Sequence, residues 1–286
     1  MQYIFGVLIF FVGTALGSFI AVIADRYNTG LPWTKGRSIC FSCDTELKNK
    51  DLFPLFSFLW LKGKCRYCQS KIPRETFFVE ILMGALTVLA VFKSGFLGFD
   101  FSSLILNSYF IIQFLLLTAI FGNILLISIY DLKHFIIPDV FLICFFVFAF
   151  ILNSYFIIHN SLSYFFIIQN LLSGLVLTLP FLLIFLISRG AWFGFGDVKY
   201  IAVLGFFLGL VQGLSAVVLA FWIGAVFAVL ALVFKKITPY INLPLFKNNL
   251  TIKSEIPFGP FLSLGIIISF YLSLDLFYIN EIFKFF

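Results

Sequence analysis

The chain has 286 residues, 62% of them hydrophobic and only 11% charged, with a mean hydropathy of +1.11. No soluble core needs that much apolar sequence, whereas a membrane span takes about 20 such residues, so the composition sets an all-α polytopic membrane protein against every soluble class. The net charge of +6 would suit a nucleic-acid binder, but in such a chain basic residues are first a topology signal.

Residues 1–24 are apolar with no basic n-region, which reads as a retained first span. Gly13, Gly17 and Ser18 suit close helix packing there. Residues 25–76 change character, with ten basic residues: Arg26, Lys35, Arg37, Lys48, Lys50, Lys62, Lys64, Arg66, Lys71 and Arg74. They form the candidate extramembrane domain. Its cysteines are Cys40-x2-Cys43 and Cys65-x2-Cys68, with 21 residues between the pairs. That is zinc-ribbon spacing, and the competing reading is two disulfides. Leu52 to Leu61 is apolar enough to pack on the knuckles or touch the bilayer. Cys144, in an apolar run, is a small packing residue.

Residues 77–286 hold the remaining spans, expected near 77–92, 104–130, 138–158, 163–187, 198–212, 214–234 and 257–278. With the first they make about eight. Gly122 and Asn123 offer a break in the third, and the sixth is short enough to insert only partly. If the 25–76 loop is cytoplasmic, alternation brings Lys133, Arg189, Lys199, Lys235, Lys236, Lys247 and Lys253 to the same face, leaving only Lys93 and Lys284 outside. The positive-inside rule expects that distribution. It explains the basic excess without nucleic acid and puts the four cysteines in a reducing compartment, favouring metal thiolates over disulfides.

Two acids stand between long apolar runs, Asp131 in IYDLKHFIIPD and Asp197 in RGAWFGFGDVKY. A carboxylate at mid-span costs about 2.5–3.5 kcal/mol, less near an interface. Gly190, Gly194 and Gly196 leave the backbone free for a close-packed turn into the next helix, and Asp197 can cap that helix. The same topology places both acids near one membrane face. Two carboxylates in a poorly hydrated site cannot both ionise easily, so one can activate water while the other, protonated, polarises a peptide carbonyl. Asp139 competes for the second role, but beside Pro138 it suits a helix N-terminus. His134 and Lys133 read as interfacial, and Lys199 either snorkels or binds an acidic substrate group. No H-E-x-x-H, G-x-S-x-G or P-loop is present. A proton- or metal-coupled transporter using the same acids, and a catalytically inactive assembly scaffold, stay open as alternatives.

The motifs together resemble the type IV prepilin peptidases, or prepilin leader peptidase/N-methyltransferases. GSFIAVIADR at 17–26 is similar to the end of the family's first span, with Ala21 and Ala24 and no Pro soon after the Arg as departures. CFSC and LFPLFSFLWLKGKCRYCQSKIPRETFFVE at 52–80 resemble its cysteine domain. DLKHFIIPD at 131–139 and GFGDVK at 194–199 resemble its two catalytic blocks, and IPFGPFLSLG at 256–265 the start of its last span. The resemblance implies a GxGD aspartic protease of the bacterial inner membrane with Asp131 and Asp197 catalytic and both the cysteine domain and the catalytic face cytoplasmic. It also implies leader cleavage of type IV prepilins and type II secretion pseudopilins, and methylation of the new N-terminus by S-adenosylmethionine. Structural zinc is expected on Cys40, Cys43, Cys65 and Cys68. Asp44, Glu46 and Asp51 are candidate contacts for the positively charged leader.

Overall fold

A computed structural model describes residues 2–30, 32, 38–40, 42–94, 108–161, 163–237 and 256–277. Of the basic residues in the topology count, Lys35, Arg37, Lys247, Lys253 and Lys284 lie outside them, and Lys235 and Lys236 are described in backbone only. The described residues are nearly all helical: α1 Gln2–Arg26, α2 Phe56–Trp60, α3 Arg74–Lys93, α4 Ser108–His134, α5 Asp139–Asn160, α6 Phe165–Ser188, α7 Phe195–Ile237 and α8 Gly259–Leu272. Six of them are long and apolar enough to cross a membrane, and α8 is a shorter apolar helix.

The chain divides into two compact units, Met1–Leu126 and Ile127–Phe286, with α4 beginning in the first and ending in the second. In the first unit α1 and α3 pack closely because small residues let their backbones meet. A Cβ at Gly13 would stand 2.4 Å from Thr87 Oγ1, and one at Gly17 would stand 2.9 Å from Glu80 Cα. Met83, Phe121 and Ile124 complete this core, each almost fully buried. α4 runs unbroken through Gly122 and Asn123, so the break expected there does not occur. A Cβ at Gly122 would meet Ile20 at 3.1 Å, so the residue serves packing.

In the second unit α7 is the centre, packed by α5, α6 and α8. Gly174 of α6 and Gly205 of α7 meet so closely that a Cβ at Gly205 would stand only 2.8 Å from Gly174 Cα, and Gly265 of α8 lies against the Ala216 carbonyl of α7. The expected spans 198–212 and 214–234 correspond to two helices within α7 that meet at a break at Gly209, a few residues before the expected boundary, where a φ of 76° and ψ of −179° suit glycine. Ser269 Oγ donates to the Gln212 carbonyl just beyond that break, at 2.7 Å. Phe145, Phe146 and Phe150 of α5 interlock with Phe206 and Phe207, and Asn153 Nδ2 donates to the Phe206 carbonyl at 3.3 Å. The Phe bias of the sequence is thus spent partly on ring packing inside this unit.

Candidate active site and metal centre

The last turn of α4 and the first turns of α5 and α7 build one cleft, about 480 Å³ in volume. α4 ends in a left-handed residue, Phe135 (φ 57°), whose N–H returns to the Asp131 carbonyl at 2.8 Å. The link 135–138 then turns the chain, and Pro138 stands as the N-cap of α5 with Asp139 next to it. Asp131 is therefore inside the last turn of α4, not beyond the helix end, and it is 4% exposed.

Asp197 is the third residue of α7, so it is not the N-cap that the sequence suggested. That place falls to Gly194, whose carbonyl accepts the Val198 N–H at 3.3 Å. Each glycine of G-F-G-D has a steric reason. A Cβ at Gly194 would stand 3.0 Å from Asp197 Oδ2, because the carboxyl folds back over the turn, and a Cβ at Gly196 would stand 3.2 Å from Cβ of buried Ile137. The second contact presses α7 against the 135–138 link and so brings its acid to the cleft. Asp131 and Asp197 both line it, within reach of each other's charge.

Gly259, the first residue of α8, donates its backbone N–H to Asp131 Oδ2 at 2.8 Å. This holds one carboxylate oxygen in place with a helix N-terminal donor that has no partner within its own helix. A Cβ at Gly259 would lie 2.6 Å from the same oxygen. Further in, the hydroxyls of fully buried Tyr200 and of Ser263 share a 2.8 Å hydrogen bond, and Ser263 Oγ donates to the Gly259 carbonyl at 2.9 Å. The start of α8 is thereby tied to α7 one turn after Asp197. Sequence reasoning passed over Gly259, Tyr200 and Ser263. The signal available was Pro260 in the first turn of a helix, which marks a free N-terminus in P-F-G-P-F-L.

Lys199 pairs with Asp139, 60 positions earlier, and lies 4.9 Å from the Phe195 ring centroid. Both charged residues line the cleft. Asp139 thus has a partner of its own besides its place at the start of α5. His134 is exposed, packs its ring at a tilt against Tyr130 with centroids 4.3 Å apart, and is not among the lining residues.

In the first unit, the sulfurs of Cys40, Cys43, Cys65 and Cys68 all lie within 4.8 Å of one another, with Cys40 and Cys68 at 3.8 Å. Two like turns produce this. In each, the first cysteine's N–H bonds to a carbonyl five residues on (Thr45 or Ser70), and its own carbonyl accepts the N–H of a left-handed residue, Asp44 or Gln69. Isolated bridges Ile39–Glu46 and Lys64–Lys71 close the two turns. A tetrahedral zinc–thiolate site has sulfurs about 3.8 Å apart, so the group fits that ion. The Ser42 backbone N–H and the Ser70 hydroxyl draw the Cys40 thiol down to about 6, toward the thiolate a metal needs. Asp51 is not available to a leader peptide. Its buried side chain takes Arg66 Nε at 2.6 Å, Tyr67 OH at 2.9 Å and the Lys48 N–H at 3.1 Å. Burial pushes this carboxyl up, but the three donors outweigh it and leave it below its ordinary value.

Residues 11–94 match the bacterial peptidase A24 N-terminal domain, and residues 118–229 match the type IV leader peptidase family. A type 4 prepilin-like proteins leader peptide-processing enzyme of Escherichia coli O78:H11 is 26% identical, over 91% of both chains. A prepilin leader peptidase/N-methyltransferase of Bacillus subtilis is 25% identical over 92% of both. One of Aeromonas salmonicida is 26% identical over 84% of this chain and 72% of its own. No solved structure matches. The first match carries the four cysteines and the second Asp131 and Asp197: the chain belongs to the type IV leader peptidase family.

Proposed function

We propose that this membrane protein is an aspartic endopeptidase that removes the leader of type IV prepilins and type II secretion pseudopilins, and methylates the new N-terminus. The observation that carries the peptidase reading is the pair Asp131 and Asp197 in one cleft at helix ends. One carboxylate takes a proton from water as it attacks the scissile carbonyl, and the other carboxyl gives its proton to the carbonyl oxygen. The tetrahedral intermediate then collapses as a proton passes to the leaving amine. The Gly259 N–H fixes one oxygen of Asp131 and leaves the other for this exchange. A transporter would call for acids near mid-helix, whereas these stand in the last turn of α4 and the first of α7. The positive-inside count supports a cytoplasmic cleft in a bacterial inner membrane, where a prepilin's leader meets its apolar helix.

The four cysteines would hold structural zinc, which supplies folding energy to a segment with little core of its own. Protein purified under reducing conditions is expected to contain about one zinc per chain. Chelation should open residues 38–72 to protease while leaving the helical spans uncut; zinc-free protein that stays resistant there would contradict this. S-adenosylmethionine is the methyl donor the second activity needs. The described residues do not fit a Rossmann-type cradle for it, since their only β pairing is the two isolated bridges.

The test is mass spectrometry of a full-length prepilin incubated with the solubilised protein, with and without S-adenosylmethionine. Leader loss in both and one added methyl only with the donor are expected; an uncut prepilin would refute the proposal. Tyr200→Phe keeps the ring but loses the hydroxyl bond to Ser263, worth about 1 kcal/mol. It is expected to lower kcat about fivefold, with KM little changed. An unchanged kcat would show that the tie does not position Asp131.

A further inference from the structure

The exposed apolar face of α2 and its approach is the largest feature of the first unit that the peptidase reading leaves unused. We infer that residues 53–60 form a hairpin inserted into the bilayer, latched to α3 through Glu80, with lipid acyl chains covering its exposed face.

Depth comes from α3. Its 20 residues run from Arg74 to Lys93, charged at both ends, and span about 28 Å, close to one hydrocarbon thickness. The helix has no length to stand clear of the membrane. Glu80 lies six residues in, about 9 Å below Arg74, and is 6% exposed. A carboxyl group at that depth needs a partner. It accepts the Leu55 N–H at 2.8 Å, so the start of α2 lies at the same depth. Leu55 takes a left-handed φ of 60° to make this turn. Two ring contacts agree: Phe56 stacks on Phe11 of α1 at 5.3 Å, fifteen residues before that helix ends, and Phe58 stacks on Phe77 of α3 at 4.8 Å.

The hairpin meets what hydrocarbon demands of irregular backbone. The N–H groups of Phe56, Ser57, Leu59 and Leu61 bond to carbonyls within the segment, and Ser57 Oγ donates to the Phe53 carbonyl. Phe53, Phe56, Leu59 and Trp60 are exposed, Trp60 by 86%. The rings of Phe53, Phe56 and Phe11 pack in a row, and Leu8 and Val12, exposed on α1 on either side of Phe11 in sequence, extend the apolar surface that α1 would give to lipid. Lys62 and Lys64 follow Trp60 at once, an aromatic and basic border suited to headgroups. Nothing in this depends on the peptidase reading.

The test places a single fluorophore on the hairpin of the full chain. Trp33, Trp192 and Trp222 are replaced by Phe, and the protein is reconstituted in phosphatidylcholine/phosphatidylglycerol vesicles with or without acyl-chain bromines. Trp60 emission is expected to fall strongly with bromolipid and little with aqueous iodide. Strong iodide quenching without bromolipid quenching would place the hairpin in water and overturn the inference; protection from both quenchers would mean a protein partner, which overturns it equally. A second probe, Phe53→Trp with Trp60→Phe, should be quenched still better by bromines set deeper. Glu80→Gln keeps an acceptor for Leu55 and should leave Trp60 in lipid, whereas Glu80→Leu should expose it to iodide. An unmoved Trp60 in Glu80→Leu would refute the latch.

Discussion

Replacing Asp131 or Asp197 by asparagine is expected to lower prepilin cleavage by about 10³-fold or more, the range that a positioned acid or base supplies. Asparagine keeps the volume and an oxygen for the Gly259 N–H, so Asp131→Asn should stay folded. It cannot exchange a proton with water, and the loss should fall on kcat. Asp139→Asn is the informative control. It also lines the cleft and sits eight positions from Asp131, but its carboxylate is spent on Lys199 in a largely exposed pair. Such pairs contribute about 0–1 kcal/mol, so this variant should keep most of its activity. Initial rates on full-length prepilin, with helical content checked by circular dichroism, decide the matter. An Asp139→Asn as inactive as the other two would move the general acid or base to Asp139.

Gly259→Ala is the second large effect, and it comes from one methyl group. The new Cβ would lie 2.6 Å from Asp131 Oδ2, closer than real Cβ atoms come, and a tight 3.1 Å from its carboxyl carbon. The aspartate is short and buried in the last turn of α4, so it can yield only by turning its carboxyl away; otherwise the start of α8 must withdraw. Either movement breaks the 2.8 Å bond from the Gly259 N–H. A misplacement of about 1 Å at a reacting group costs about 10²-fold, so kcat should fall by that order, with the fold retained. The measurement is kcat and KM beside Gly6→Ala, a site where a Cβ meets nothing within 4 Å. Wild-type kcat in Gly259→Ala would show that this contact does not hold Asp131.

The sequence displayed best what a bilayer makes conspicuous. Asp131 and Asp197 stand out because acids are rare between apolar runs, and the four cysteines because metal binding imposes a spacing. Helix limits followed from hydropathy to within a few residues for most of the long helices. The breaks were less legible. Gly209 and Gly213 are both glycines on one apolar run, yet only Gly209 leaves the helix, in a region where Ser269 of α8 and Asn170 of α6 approach. Gly122, read as a hinge, is a packing contact for Ile20 and Met83. The pairings that arrange the cleft were hidden altogether: Gly259 with Asp131 lies 128 positions apart, Tyr200 with Ser263 63, and Lys199 with Asp139 60. Periodicity carries no information at such separations. Asp197 shows the same limit locally, since capping preference points to an N-cap whereas the fold uses Gly194 there, freeing the carboxyl to reach the cleft.

The central claim, that Asp131 and Asp197 act as one unit, is tested most directly by single-turnover cleavage of full-length prepilin in a four-way series. The series compares the wild type, Asp131→Asn, Asp197→Asn and the double variant. Residues that share one step are grossly non-additive. The wild type should cut, each single variant should fall to the floor, and the double should fall no lower. A single variant that cuts at the wild-type rate, or a double whose loss is the product of two modest single losses, would contradict a two-aspartate site.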